Sequence, residues 1–225
     1  MTLRFLLIAM LFGAASIRVL AVQCQHCSPD GRFGLAERVT PEGRPEIVIT
    51  NVAGKGERVL AIPADDPANA ILRSGWRNDR IVWADAHVNP RNGIYYEWDA
   101  MDGRLLRAIP QSQVAVSPNG RHVAWVDVVA VRPAPDSDAP ALVIDDAKHV
   151  VEVRGAIGAL AWSPHADELA VGVEGPGGAT VVIVNAESLH PMRTVRLEAD
   201  AHVRELRWDE NGLVAKSEHG MKAIR

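Results

Sequence analysis

Val116-Ser-Pro-Asn-Gly-Arg121, running into His122-Val-Ala-Trp-Val126, is the stretch that decides the fold. Proline fixes φ near −65° at the second position of a turn, and Asn-Gly supplies residues that tolerate positive φ. Set between apolar runs, such a turn instructs a β-hairpin. The phrase recurs as Cys27-Ser-Pro-Asp-Gly-Arg32, Trp76-Arg-Asn-Asp-Arg80, Trp162-Ser-Pro-His-Ala-Asp167 and Trp208-Asp-Glu-Asn-Gly212. In chain order the first residues of the five phrases are 49, 40, 46 and 46 positions apart. That is the period of propeller blades, about 40–50 residues.

A second marker keeps step with the first. Ile47-Val-Ile-Thr-Asn51, Tyr95-Tyr-Glu-Trp-Asp99, Leu142-Val-Ile-Asp145 and Val182-Ile-Val-Asn185 are apolar strands ending in Asn or Asp, at spacings of 48, 46 and 40. Each leads through a turn toward another short strand, as in Arg58-Val-Leu-Ala-Ile62. No convincing capped helix pattern follows Val22. Each unit therefore reads as a four-stranded antiparallel meander, which cannot bury both faces alone and stacks on its neighbours. The expected fold is all-β: a small propeller of about five blades over residues 22–225, the last blade lacking its outer strand; an open solenoid-like arc, or a half-ring completed by a partner, is the alternative.

The Trp-Ser-Pro-Asp-Gly-like phrase, followed by Leu-Ala-Val and a later Ile-x-Val-Asn or Asp, resembles the WD40-like repeat of TolB-type β-propellers. Residues 116–126 and 160–173 carry the likeness most fully; 22–62 and 71–109 carry it moderately, and 203–225 only partially. The resemblance implies an exported, protein-binding propeller.

The N-terminus points the same way. Met1–Arg4 is short and basic, Phe5–Phe12 is apolar, and small residues stand at Ala15 and Ala21. These are the parts of a secretory signal peptide, here assigned to residues 1–21. A spanning helix needs about 20 apolar residues, and Arg18 interrupts this run. A retained anchor, or a lipid on Cys24, are the other two readings, and these are the expected routes to a membrane. The mature chain is expected in the periplasm or outside the cell.

Composition narrows function by exclusion. The 24 basic and 28 acidic residues give a net charge of −4, which argues against nucleic acid as a partner. Cys24-Gln-His-Cys27 is followed by Ser28 where a c-type haem site needs His, and there is no second cysteine pair for zinc. A disulfide between Cys24 and Cys27 requires a turn at Gln25-His26, because extended residues three apart lie roughly 10 Å apart and a disulfide tolerates about 7 Å. The eight histidines are scattered, and the Asp residues at 65, 66, 136, 138, 145 and 146 lack a calcium-loop spacing. Gly172–Gly178 reads as a hairpin loop, and the six tryptophans read as wedges between blades. Neither a Gly-x-Ser-x-Gly elbow nor a phosphate loop is present.

No residue is assigned as catalytic, as a metal ligand or as cofactor-binding, and no cofactor is expected. The leading expectation is a non-catalytic module whose partner is another envelope or secreted protein. The alternative is a propeller enzyme, a metal-dependent lactonase or hydrolase, with its site in the central channel.

Overall fold

In a computed structural model of the chain, the described residues are 26–53, 56–127, 141–145, 150–152, 155–175, 177–197 and 202–224. They form seventeen strands, and every pairing joins consecutive strands in antiparallel fashion. The first meander contains β1 (Phe33–Val39), β2 (Pro45–Asn51) and β3 (Glu57–Ala61). The second begins with β4 (Ala70–Trp76), β5 (Ile81–Asn89) and β6 (Asn92–Asp99).

Strand β7 (Leu105–Val116) then serves two meanders. Its first half, to Gln111, pairs with β6; its second half pairs with β8 (Val123–Asp127), and the register shifts between Gln111 and Val114. Pro110 has no N–H to give a ladder, and the pairing changes partner directly after it. The third meander continues with β9 (Ala141–Ile144) and β10 (Val150–Glu152). The fourth is β11 (Ala156–Trp162), β12 (Glu168–Gly175), β13 (Gly178–Asn185) and β14 (Pro191–Arg196). The fifth is β15 (Glu205–Asp209), β16 (Gly212–Ser217) and β17 (Gly220–Ile224).

The repeated phrase forms the turn between the first two strand positions of a unit, and in three of its five instances a serine closes it. Ser117 N–H to C=O pairing is supplemented by the side chain: the Ser117 hydroxyl donates to Asn119 Oδ1 at 2.8 Å and accepts from the His122 N–H at 2.9 Å. Ser28 does the same with Asp30 (2.6 Å) and the Phe33 N–H (3.0 Å), and Ser163 with Asp167 (2.9 Å) and the Glu168 N–H (3.3 Å). All three serines are buried, so their hydroxyls must be bonded.

The meanders bury their faces against one another. Leu35, Ile47 and Leu60 of the first pack with Val82, Tyr96 and Trp98 of the second. Tyr95 of the second packs with Val114, Val123 and Trp125 of the third. Leu142 and Ile144 of the third meet Trp162, Leu169 and Val171 of the fourth. Val181, Ile183 and Val203 meet Leu206, Leu213 and Ile224 of the fifth. Burial of apolar area in these four interfaces is what makes the units one structure.

Two differences from the expected ring emerge. Among the described residues the first unit, like the fifth, has three strands, and upstream of β1 they show the Cys27–Gly34 bridge. The four apolar clusters join neighbouring units, and among the described residues none of these clusters joins the fifth unit to the first. Their outward faces carry ion pairs beside exposed apolar side chains, Val59 on the first and Met221 on the fifth. On the first, Arg38 pairs with Glu46 and, at 2.9 Å, with Glu57. On the fifth, Arg207 pairs with Asp209 at 3.1 Å and Lys216 with Glu205 at 3.3 Å.

Candidate functional site

The leading strands of the second to fifth units converge on one hollow of about 490 Å³. Arg73 comes from β4, Gln111–Val114 from the break in β7, Leu160 from β11, and Leu206 from β15. The β5–β6 hairpin, with His87, Arg91 and Gly93, forms the rim, together with Arg204 just before β15.

A polar network anchored on two buried side chains, Asp85 and Gln111, floors this hollow. Asp85, only 5% exposed, accepts from Arg73 Nη2 at 2.7 Å, from Arg73 Nε at 3.2 Å and from Gln111 Nε2 at 2.9 Å. Arg73 Nη2 also reaches the Val114 carbonyl at 2.8 Å. Asp85 on β5, Arg73 on β4 and Gln111 on β7 thus clamp three strands at the point where β7 changes partner. Gln111 is buried, and its Oε1 has no hydrogen-bond donor among the described residues. Gly93 makes room for the network, since a Cβ there would lie 2.8 Å from Gln111 Nε2 and 2.7 Å from the Ala86 carbonyl.

With three donated bonds, the Asp85 carboxylate is committed to holding Arg73 and Gln111. The charged side chains the hollow presents are mostly cationic: the remaining edge of Arg73 and the exposed guanidinium groups of Arg91 and Arg204, with the exposed carboxylate of Glu205 beside them. His87 Nδ1 lies 3.0 Å from Asn69 Oδ1 at the rim. This arrangement suits binding.

The residues singled out in the sequence are placed elsewhere. Cys24 lies outside the described residues; Cys27 is not a free thiol and sits beside Gly34. His122 Nδ1 lies 2.6 Å from Asp145 Oδ2, with its ring stacked on Trp162. His202 Nδ1 lies 2.9 Å from Glu174 Oε2, and this bond raises the His202 pKa above its ordinary value, with the nearby charges of Glu174 and Glu218 adding to it. His149, Asp136, Asp138 and Asp146 are outside the described residues. Asp66 accepts from the Tyr96 hydroxyl at 3.0 Å, far in the fold from Asp145 in the third unit. Trp98, Trp125 and Trp162 are buried in the clusters between units, and Trp76, Trp83 and Trp208 pack against clusters from partly exposed positions. Gly175–Gly178 is the expected hairpin, but Gly172 belongs to strand β12, where a Cβ would lie 2.6 Å from Val203 Cγ1.

Sequence reasoning passed over the network at the hollow. Its members lie on three strands and share no local spacing. The available signal was a lone carboxylate, Asp85, inside the apolar run Ile81-Val-Trp-Ala-Asp-Ala86, and an amide, Gln111, straight after Pro110.

No family model matches the chain, and no curated protein matches it either. Solved structures do. The Cps50 (Swd1) β-propeller domain of Myceliophteria thermophila superposes with a TM-score of 0.52 at 20% identity, covering 87% of this chain and 62% of that one. Hydrazine synthase of Kuenenia stuttgartiensis superposes with a TM-score of 0.53 at 14% identity, covering 88% and 70%. The chain thus spans less than two thirds of that Swd1 domain's length. At these identities the likeness speaks for architecture, and with the stacked antiparallel meanders it makes the fold that of a β-propeller.

Proposed function

We propose that this chain is an exported, non-catalytic β-propeller that binds another envelope or secreted protein at the hollow lined by its leading strands. One observation carries the reading. The buried carboxylate at the hollow is held by Arg73 and Gln111, so the charged side chains left to meet a visitor are the guanidinium groups of Arg73, Arg91 and Arg204 against one exposed acid, Glu205, which is paired with Lys216. The fold supports it, because propellers commonly present such a face to proteins, although a fold by itself does not fix a function. The basic start, apolar run and small residues of 1–21 support export, and the repeated phrase supports a WD40-like repeat of the TolB type.

The test is capture of a tagged full chain from its own cells after fractionation. The expected result is a shortened or lipid-bearing chain in the envelope fraction, retaining one partner protein in stoichiometric amount through washing. A chain that stays in the cytoplasmic fraction overturns export. A chain that purifies alone from every fraction, yet hydrolyses lactone or ester substrates when metal is added, overturns the binding reading in favour of an enzyme.

A further inference from the structure

Resting on the protein-binding reading of the hollow, we infer that its occupant is an acidic, extended peptide segment of the partner. The chain as a whole carries −4, yet three guanidinium groups, Arg73, Arg91 and Arg204, gather at this one concavity. The acids beside them are already taken. Asp85 is held by Arg73 and Gln111, and Glu205, which also lines the hollow, is paired with Lys216 at 3.3 Å. Arg91 has no ion-pair partner among the described residues, and Arg204 has Glu218 only at 4.0 Å. Arg73 spends Nε and Nη2 within the protein and keeps Nη1.

Guanidinium groups recognise carboxylates through paired, charge-assisted bonds. Carboxylate side chains of a peptide supply that charge at successive positions. The Gln111 oxygen asks for the complementary group. An unmet buried acceptor costs about 1–3 kcal/mol, and a backbone N–H from an extended peptide is a donor that answers it. The volume falls within the roughly 300–1,000 Å³ of ordinary ligand pockets, enough for a short segment and too confined for a duplex. A nucleic acid would also need a broad basic surface, which a chain of net charge −4 does not offer.

The test is fluorescence anisotropy of the full chain with three labelled probes: hexaglutamate, hexalysine and a six-nucleotide single strand. Hexaglutamate is expected to bind saturably, more weakly as salt rises, and to bind at least tenfold better than hexalysine. R91E with R204E is expected to cost at least tenfold, and Gln111→Leu several-fold. Arg121→Glu, in the turn at the other end of the unit, is expected to change nothing. Should charge reversal impair folding, R91Q with R204Q gives the same comparison at lower cost. Equal binding of both peptides, binding that survives the Arg91 and Arg204 changes, or tighter binding of the oligonucleotide overturns the inference. Capture distinguishes this failure from that of the reading beneath it. If R91E/R204E chain still retains the partner, the chain binds protein elsewhere; if hexaglutamate binds but no partner is ever retained, the site stands and the protein-binding reading falls.

Discussion

The indole Nε1 of Trp162 donates to the carbonyl of Ala115 at 2.9 Å, tying the leading strand of the fourth unit to that of the third. Trp76 holds the equivalent phrase position one unit from the start, and its Nε1 donates to the His26 carbonyl at 3.2 Å. The recurring tryptophan is thus both wedge and staple between neighbours. Trp162→Phe keeps the wedge and removes the staple, leaving the Ala115 carbonyl without this donor. The expected cost is about 1–3 kcal/mol, read as a fall in the urea midpoint at unchanged slope. A variant as stable as the parent would show that the indole contributes packing alone.

Gly120 and Gly31 stand at the same place in their turns, with φ of +67° and +71°. They differ in clearance. A Cβ on Gly120 would lie 1.8 Å from the Arg77 carbonyl oxygen of the second unit, whereas around Gly31 nothing lies within 4 Å. Gly31→Ala is therefore expected to cost only the backbone penalty of about 1 kcal/mol. Gly120→Ala is expected to cost distinctly more, because backbone cannot yield as a side-chain tip can. Equal losses would mean that the two units separate freely at this turn.

Arg77 explains why that approach is so close. Its guanidinium reaches the Gly120 carbonyl at 2.8 Å, the Arg121 carbonyl at 2.7 Å and Glu97 Oε1 at 2.6 Å. Glu97 is buried and also accepts from the Tyr95 hydroxyl at 2.7 Å. Burial, and then the Glu97 charge, push the Tyr95 phenol well above the usual tyrosine range. Removing one partner of a buried pair costs up to about 3–5 kcal/mol, and here Arg107 Nε, 3.6 Å from Glu97 Oε2, remains as a second cation that lessens the loss. Arg77→Met, which also gives up the bonds to the Gly120 and Arg121 carbonyls, should destabilise more than Glu97→Gln, which keeps a hydrogen-bonding group and leaves those carbonyl bonds to Arg77 in place. Denaturation of both single variants and of the double variant gives the coupling; additive losses would refute it.

The repeat was legible because hairpin turns are local chemistry. Ser-Pro-Asn-Gly reports its own geometry, and the alternation of Leu206, Leu213 and Ile224 against Arg207, Lys216 and Met221 follows from the two-residue period of a strand. The serine's part was missed because Ser28, Ser117 and Ser163 act through a hydroxyl across the turn, which propensity does not register. The sharing of β7 between two meanders was equally hidden: Leu105–Val116 reads as two strands, and only the pairing shows one strand changing partner at Gln111. The hollow was less legible still. Arg73, Asp85 and Gln111 become neighbours through strand register, so their shared chemistry exists only after folding.

His202 supplies a pH test of the segment that enters the fifth unit beside Arg204. Its Nδ1 bonds Glu174, its backbone N–H donates to Glu218 at 3.1 Å, and the Val203 N–H donates to Glu174 Oε1 at 3.1 Å. The bond to Glu174 is the first cause of its raised pKa, with the charges of Glu174 and Glu218 following and burial and Arg204 opposing. A pKa raised above the unfolded value, 6.5, means that the folded state binds the proton more tightly. The stabilisation is therefore complete below 6.5 and disappears as pH rises through the higher folded value. Because the pair is solvent-exposed, the effect is small and salt-sensitive. Urea midpoints at about pH 6 and about pH 8 should fall more for the parent chain than for His202→Gln, and the His202 ring resonances should titrate above 6.5 and move back toward it in Glu174→Gln. A ring that titrates at or below 6.5 in the parent chain would show that Glu174 does not hold it.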